Sequence, residues 1–396
     1  MPASFSTFLA QAVENPALAL SVFLTLGVLL VNGWTDAPNA IAGAVVTGAL
    51  SFRRAVLLAA VCNFLGVLCV TSVYPSVAET VYSIASFGGG PEAASLALCA
   101  AMGAVVLWAA AAWWWGIPTS ESHALVAGIS GAAAALEGDL SCIRWQKWGL
   151  VLLGLVLSTT LGFWAGRWAE GATRGWGWSG RTYRMLQVPG AAGTAFLHGA
   201  QDGQKFLGVF LLGAALARGE QGDGMARAPL WLMVLCAAFM ALGTGVGGRR
   251  IIDTVGRDMV SLGPREGFSA DLAGMACLLL ATALGLPVST THTRTAALLG
   301  VGSGGGGRTG GWPGPSPWPG CVPSPGAWGW AGCWRRGCWK FEKGRPGPSL
   351  FLKGLAEETP EFVTILQFFC HANEKKWPGW PVYSLVDVIR QRPCPR

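Results

Sequence analysis

Charge is what this chain has least of. Asp, Glu, Lys and Arg together make up 12% of its 396 residues, while hydrophobic residues make up 52%. Soluble domains carry about 25% charged residues, so a water-filled surface on all sides is excluded. The net charge of +7 does not point to nucleic acid, because the basic residues lie between apolar runs or in the C-terminal tail; loop arginines in such a chain set membrane topology. No Lys or Arg precedes the first apolar run and Glu14 lies just before it, which argues against a secretory leader. Between residues 1 and 300 no Cys pair has zinc spacing. Cys62, Cys69, Cys99, Cys142, Cys236 and Cys277 sit in or beside apolar runs, where cysteine packs as a small hydrophobe. A chain of this length has room for eight to ten membrane spans of about 20 residues each.

The apolar runs predict spans at 17–50, 55–73, 94–115, 148–166, 190–217, 229–247 and 268–286. The first and fifth are expected to be broken. In the first, NGWTDAPNAIAG (Asn32 to Gly43) interrupts the apolar run, and Pro38 removes a backbone donor and clashes with the preceding turn. The freed backbone groups are tolerable only against protein or a wet cavity, and an Asp at such depth marks function. AFLHGAQDGQKFLG (Ala195 to Gly208) answers it in the fifth run. A second pair of segments also match, GIPTSESHALVAG (Gly116 to Gly128) and GLPVSTTHTRTAA (Gly285 to Ala297). Asp36 precedes Pro118 by 82 positions and Asp202 precedes Pro287 by 85, and each Pro is followed five residues later by a His, His123 and His292. Two matched pairs in one order predict a duplicated transporter half.

These four motifs resemble those of the inorganic phosphate transporters of the PiT type, from about Asn32 to Gly302. The resemblance implies a polytopic symporter with two inverted repeats that moves phosphate with sodium ions or protons. Three positions depart from the family pattern. Glu121 stands where members often have a small hydroxyl residue, and Thr35 and Gln201 stand where many have Asn before the Asp.

The expected fold is therefore an all-α polytopic membrane protein with two inverted repeats, broken helices and re-entrant hairpins at 116–136 and 287–301. Residues 1–166 are expected to form the first repeat, 167–189 a basic connecting loop, 190–302 an incomplete second repeat, and 303–396 a tail. The tail is rich in Gly, Pro, Trp and Cys, with eight of the 20 Trp beyond residue 310. Disorder and an out-of-frame extension of a GC-rich gene both account for that bias.

Phosphate needs donors on most sides. Thr119, Ser120 and Ser122 in one hairpin and Ser289, Thr290 and Thr291 in the other supply six hydroxyls. Pro118 and Pro287 suit the first turn of a helix, whose free N–H groups would face an anion. The plainer reading of these hydroxyls is helix capping. Asp36 and Asp202, with the amide oxygens of Asn39, Gln201 and Gln204, are the candidates for coupling a proton or binding sodium. An Asp that accepts a phosphate O–H would also reject sulfate, which has none. Lys205 is expected to form an ion pair or attract the anion, His123 and His292 to gate or support the site, and Arg294 to snorkel to an interface.

The function expected is phosphate symport, with no enzymatic activity and no bound cofactor beyond the coupling ion, in the plasma membrane. A monomer and a homodimer both accommodate the spans. The alternatives are transport of another oxyanion such as sulfate and an inactive truncated transporter. An intramembrane serine hydrolase using Ser120 or Ser122 is a remote third, since neighbours at i,i+1 do not face each other on a helix.

Overall fold

The computed structural model describes residues 4–114, 119–221, 225, 227–246, 248–253, 255 and 262–304. All lie in one compact unit, Met1–Trp328; a second unit, Gly329–Arg396, holds most of the tail and lies outside the described residues, as does Pro118.

The described chain is helical. α1 (Phe5–Glu14) leads into α2 (Pro16–Thr35), capped by the Asn15 side chain with Pro at its first turn. The chain breaks at Asp36–Ala37 and resumes as α3 (Pro38–Val46). α4 (Phe52–Val73), α5 (Ser76–Tyr82), α6 (Pro91–Trp114), α7 (Glu121–Glu137) and α8 (Trp145–Arg174) follow. Then come α9 (Gly180–Leu216), α10 (Leu230–Val246), α11 (Arg249–Asp253), α12 (Pro264–Ala283) and α13 (Thr290–Ser303).

Among the described residues, five helical stretches are long and apolar enough to cross a membrane: Pro16–Val46, Phe52–Val73, Pro91–Trp114, Trp145–Arg174 and Pro264–Ala283. Their outer faces carry exposed Phe23, Leu57, Leu153, Val156 and Leu279, as a lipid-facing surface requires. The protein is an integral, multi-pass membrane protein. α7 and α13, at 17 and 14 residues, are only about 25 and 21 Å long, shorter than the hydrocarbon core. Each folds back against the long helix before it, α6 or α12.

Two expectations are corrected. The second Asp motif is not broken: α9 runs without interruption from Gly180 to Leu216. Asp36 is followed by Ala37 and Pro38, which cannot continue the hydrogen-bond ladder, whereas Asp202 is followed by Gly203 and Gln204, which can. From Leu197 to Leu216 every residue of α9 is buried, so it is sheathed by protein. The basic stretch 167–189 is also not a loop. It belongs to α8 and α9 except for Gly175 to Ser179, and its arginines lie along helix ends.

The packing repeats itself with the halves exchanged. α4 of the first half lies on α9 and α10 of the second lies on α2; α5 lies on α9 and α11 on α3. Both long crossings are made backbone to backbone. A Cβ on Gly199 would strike the Asn63 carbonyl and one on Gly66 the Phe196 carbonyl; in the other half, a Cβ on Gly33 would strike the Met240 carbonyl and one on Gly243 the Leu30 carbonyl. Leu30 and Phe196, like Gly33 and Gly199, stand 166 positions apart, the separation of Asp36 and Asp202.

Gly66→Ala and Gly199→Ala are therefore expected to cost about 1–3 kcal/mol each through overpacking, read as a lowered Tm of the detergent-solubilised protein. Gly103→Ala, on α6 with open space around it, is expected to leave Tm unchanged or raise it.

Candidate functional site

The two Asp motifs and the two hydroxyl-rich helix starts meet in the protein interior. Asp36 lies at the end of α2, where the break leaves it in the first turn leading into α3. Asn39 donates to its Oδ1 at 3.0 Å. Asp202 lies in the middle of α9. Lys205, one turn on, donates to Asp202 Oδ1 at 2.6 Å, and Thr290 donates to Oδ2 at 3.1 Å. Asn32 reaches both carboxylates, at 3.5 Å to Asp36 and 3.4 Å to Asp202. His198 places Nε2 3.3 Å from Asp202 and its Nδ1 3.0 Å from Asn63. One carboxylate oxygen of Asp36, one of Asp202 and a ring nitrogen of His198 lie within 4.8 Å of one another. All these side chains are 3% exposed or less, so each charge is met by protein and not by water.

α7 and α13 bring their N-termini to this cluster. Ser289 donates to Ser120 at 2.8 Å, and the rings of His123 and His292 face each other at 4.8 Å between centroids. Each contact pairs a residue with its own counterpart in the other repeat, so the pseudo-twofold axis passes between them. Two further contacts are mirror images. Asn39 of the first repeat donates to Thr291 of the second at 3.3 Å, and Lys205 of the second donates to Ser122 of the first at 2.7 Å. Thr119 is buried at the start of α7. Ser289 caps α13, accepting from the His292 amide at 3.2 Å, so capping and site membership coincide in one hydroxyl. Pro287 stands two residues before that cap, outside regular structure, and not in the first helical turn.

Three expected positions are placed differently. Gln201 turns away from the carboxylates and donates to Thr282 at 3.0 Å and to the Leu286 carbonyl at 3.3 Å, holding the extended chain before α13. Gln204 accepts from the Val77 amide at 3.2 Å and fixes the start of α5. Both occupy faces of a continuous helix that a break would have redirected. Arg294 does not snorkel. It is 2% exposed and pairs with buried Asp271 at 2.5 Å, because the α13 that carries it is enclosed by α8 and α12.

Asn32 and His198 belong to the site and were not singled out from sequence, and Glu121, marked there only as a departure from the family pattern, joins them. Asn32 and His198 each lie four residues before an Asp and 166 positions apart, so the i,i+4 rule combined with the repeat offset identifies both. Glu121, 1% exposed, bonds to the Thr35 hydroxyl and adds a third carboxylate. Its counterpart in the second repeat is the Thr290 hydroxyl. The oxygens Asn32 Oδ1, Asn39 Oδ1 and Glu121 Oε2 are buried without a hydrogen-bond partner, a donor set that suits a hard cation.

The resulting arrangement gathers hydroxyls and two helix starts on one side and carboxylates and amide oxygens on the other. The chain is 33% identical over 290 residues to a probable low-affinity inorganic phosphate transporter of Bacillus subtilis, covering 72% of this chain and 85% of that one. It is 35% identical over 295 residues to one from Rhizobium meliloti, covering 73% and 86%. The Mycobacterium tuberculosis (strain H37Rv) counterpart is 34% identical over 297 residues, covering 72% and 69%. Among solved structures, the sodium-dependent phosphate transporter superposes with a TM-score of 0.62 at 22% identity, covering 74% of this chain and 90% of that one, a likeness of fold. The model of the phosphate transporter family matches twice in succession, at residues 32–177 and 178–313, which is the duplication read from the motifs. By these matches and by the doubled site, the chain belongs to the phosphate transporter family.

Proposed function

We propose that this protein carries inorganic phosphate across the plasma membrane together with a coupling cation, sodium or a proton. The observation that carries the reading is the meeting of two hydroxyl-bearing helix starts, linked through Ser120 and Ser289 at 2.8 Å, directly beside two buried aspartates. Thr119, Ser120, Ser122, Ser289, Thr290 and Thr291 would donate to phosphate, and the first-turn amides of α7 and α13 would add positive dipole ends. Lys205, donating to both Ser122 and Asp202, would hold the one ammonium near the anion. An Asp accepting the phosphate O–H would exclude sulfate. His123 and His292 would line the axis and gate it.

The difference between the two repeats favours a single mobile cation. Asp202 already holds a tethered ammonium. Its counterpart Asp36 holds only amides, and the free oxygens of Asn32 and Asn39 adjoin it. The mobile cation would bind at Asp36, and its loading would be linked to phosphate through Asn39 and Thr291. Transport would follow from one helical bundle rocking against the other around the site.

Labelled phosphate uptake into liposomes, driven separately by a sodium and a pH gradient, tests this reading. Uptake driven by one gradient and unaffected by excess sulfate is expected, and names the ion; a protein that moves sulfate equally well, or responds to neither gradient, contradicts it. Asp36→Asn is expected to abolish gradient-driven accumulation while phosphate exchange across the membrane continues. Asp202→Asn strands the Lys205 ammonium in the interior, at a cost of about 3–5 kcal/mol, and is expected to lower the yield of folded protein. The double substitution Asp202→Asn with Lys205→Met should recover that yield without recovering phosphate uptake.

A further inference from the structure

The second repeat buries an ion pair that the first repeat lacks. Arg294 donates from Nη2 to Asp271 at 2.5 Å and from Nη1 to the Ala270 carbonyl at 3.0 Å. α6 and α12 end 169 positions apart, and the same offset relates His123 to His292. Carried through both hairpins, it places Met102 opposite Asp271, Val105 opposite Gly274 and Leu125 opposite Arg294. Met102, Val105 and Leu125 are all buried in one apolar cluster. Three positions have therefore changed together. Gly274 is part of the change: a Cβ there would lie 2.7 Å from Arg294 Nη1 and 2.8 Å from its Cδ, whereas the first repeat carries Val105 at that position, in the same apolar cluster as Leu125.

A buried ion pair is commonly no more stabilising than apolar residues of similar volume, and the first repeat demonstrates the apolar solution. The pair's location indicates what it does instead. Asp271 packs under Gly43 of α3 and Gly190 of α9, where added Cβ atoms would lie 3.4 Å from its Oδ1 and 3.1 Å from its Cβ. Arg294 follows Thr291 by three residues and Thr290 by four, on the same face of α13, and it lines one cavity with Asp36, Asn39, Thr194, His198 and Thr290. The pair thus ties α13 to the elements that carry Asn39 and Asp202.

We propose that Arg294 is a positioning residue of the phosphate site, with Asp271 as its anchor. The two-pronged guanidinium fixes the rotation and height of α13, so that Thr290 meets Asp202 and Thr291 meets Asn39. A planar fork holding a carboxylate and a carbonyl at once defines an orientation that a Leu in a greasy contact does not. α7 needs no such fixing, because Lys205 reaches across to Ser122 and Glu121 bonds to Thr35. This inference rests on the reading that those hydroxyls hold phosphate.

The test installs the first repeat's own solution, the triple variant D271M/G274V/R294L, beside R294K and R294Q. Each is assayed for phosphate uptake in liposomes and for the rise in Tm produced by inorganic phosphate. The triple variant is expected to fold with a Tm near that of the wild type. Its KM for phosphate should rise about tenfold with the maximal rate within about twofold, the pattern of lost ground-state binding, and its phosphate-induced Tm rise should shrink. R294K should lie closer to the wild type than R294Q in both readouts, since an ammonium still engages Asp271. A triple variant with the wild-type KM and Tm response overturns the proposal. Should the triple variant not accumulate in membranes, equal KM values for R294K and R294Q overturn it instead. A wild-type protein that phosphate neither stabilises nor passes through overturns the functional reading beneath it, which separates the two failures.

Discussion

Two carboxylates buried in an apolar protein must be matched where they stand, and this constraint organises the rest. A bare ionised carboxylate in such surroundings is prohibitively costly. The chain matches Asp202 from within, with the Lys205 ammonium at 2.6 Å and the Thr290 hydroxyl at 3.1 Å. It matches Asp36 only with amide N–H groups from Asn39 and Asn32. The backbone follows the same division. Where the match is internal, α9 continues through the motif; where it is not, the helix stops at Asp36–Ala37 and turns its end toward the site. The hydroxyl-bearing starts of α7 and α13 converge on the cluster because their side chains complete the coordination of those same groups.

Duplication gives the site its shape, and divergence between the copies gives it direction. Contacts on the pseudo-axis join a residue to its own counterpart, Ser120 to Ser289 and His123 to His292. Positions off the axis come in mirrored pairs whose chemistry differs: Asn39 with Thr291 against Lys205 with Ser122, and the apolar Met102 and Leu125 against the ion-paired Asp271 and Arg294. A fully symmetric carrier would present the same face to both sides of the membrane. Each of these replacements puts a charge on one side of the axis only.

Much of this was legible in the sequence, and what was not has physical reasons. The membrane class followed from the scarcity of charge, and the duplication from two motif pairs at matching separations. The break at Pro38 was legible because proline removes a donor. The expectation of a second break at Asp202 failed because it was carried over from the repeat without a proline to enforce it, and glycine inside a tightly packed helix does not end it. That error misplaced Gln201 and Gln204, which face α12 and α5 once α9 is continuous. Arg294 departs from expectation: a lone arginine in an apolar segment ordinarily reaches for an interface, but its partner Asp271 lies 23 residues earlier, in the span predicted at 268–286. Asn32 and His198 were within reach of the i,i+4 rule applied to both motifs at once.

The paired glycine crossings bear on motion. Where Gly66 meets the Phe196 carbonyl and Gly243 meets the Leu30 carbonyl, the helices touch through backbone at the point of crossing. Ordinary helix contacts seat ridges in grooves, and turning one helix against another means lifting those ridges out. A smooth backbone contact has nothing to lift, yet it leaves no room for the axes to come closer. It therefore acts as a fulcrum, resisting approach while offering little hindrance to tilt. With one such bearing on each side of the axis, a tilt of α9 or of the α2–α3 segment would pivot within a few turns of the aspartates, moving the helix ends far more than the carboxylates.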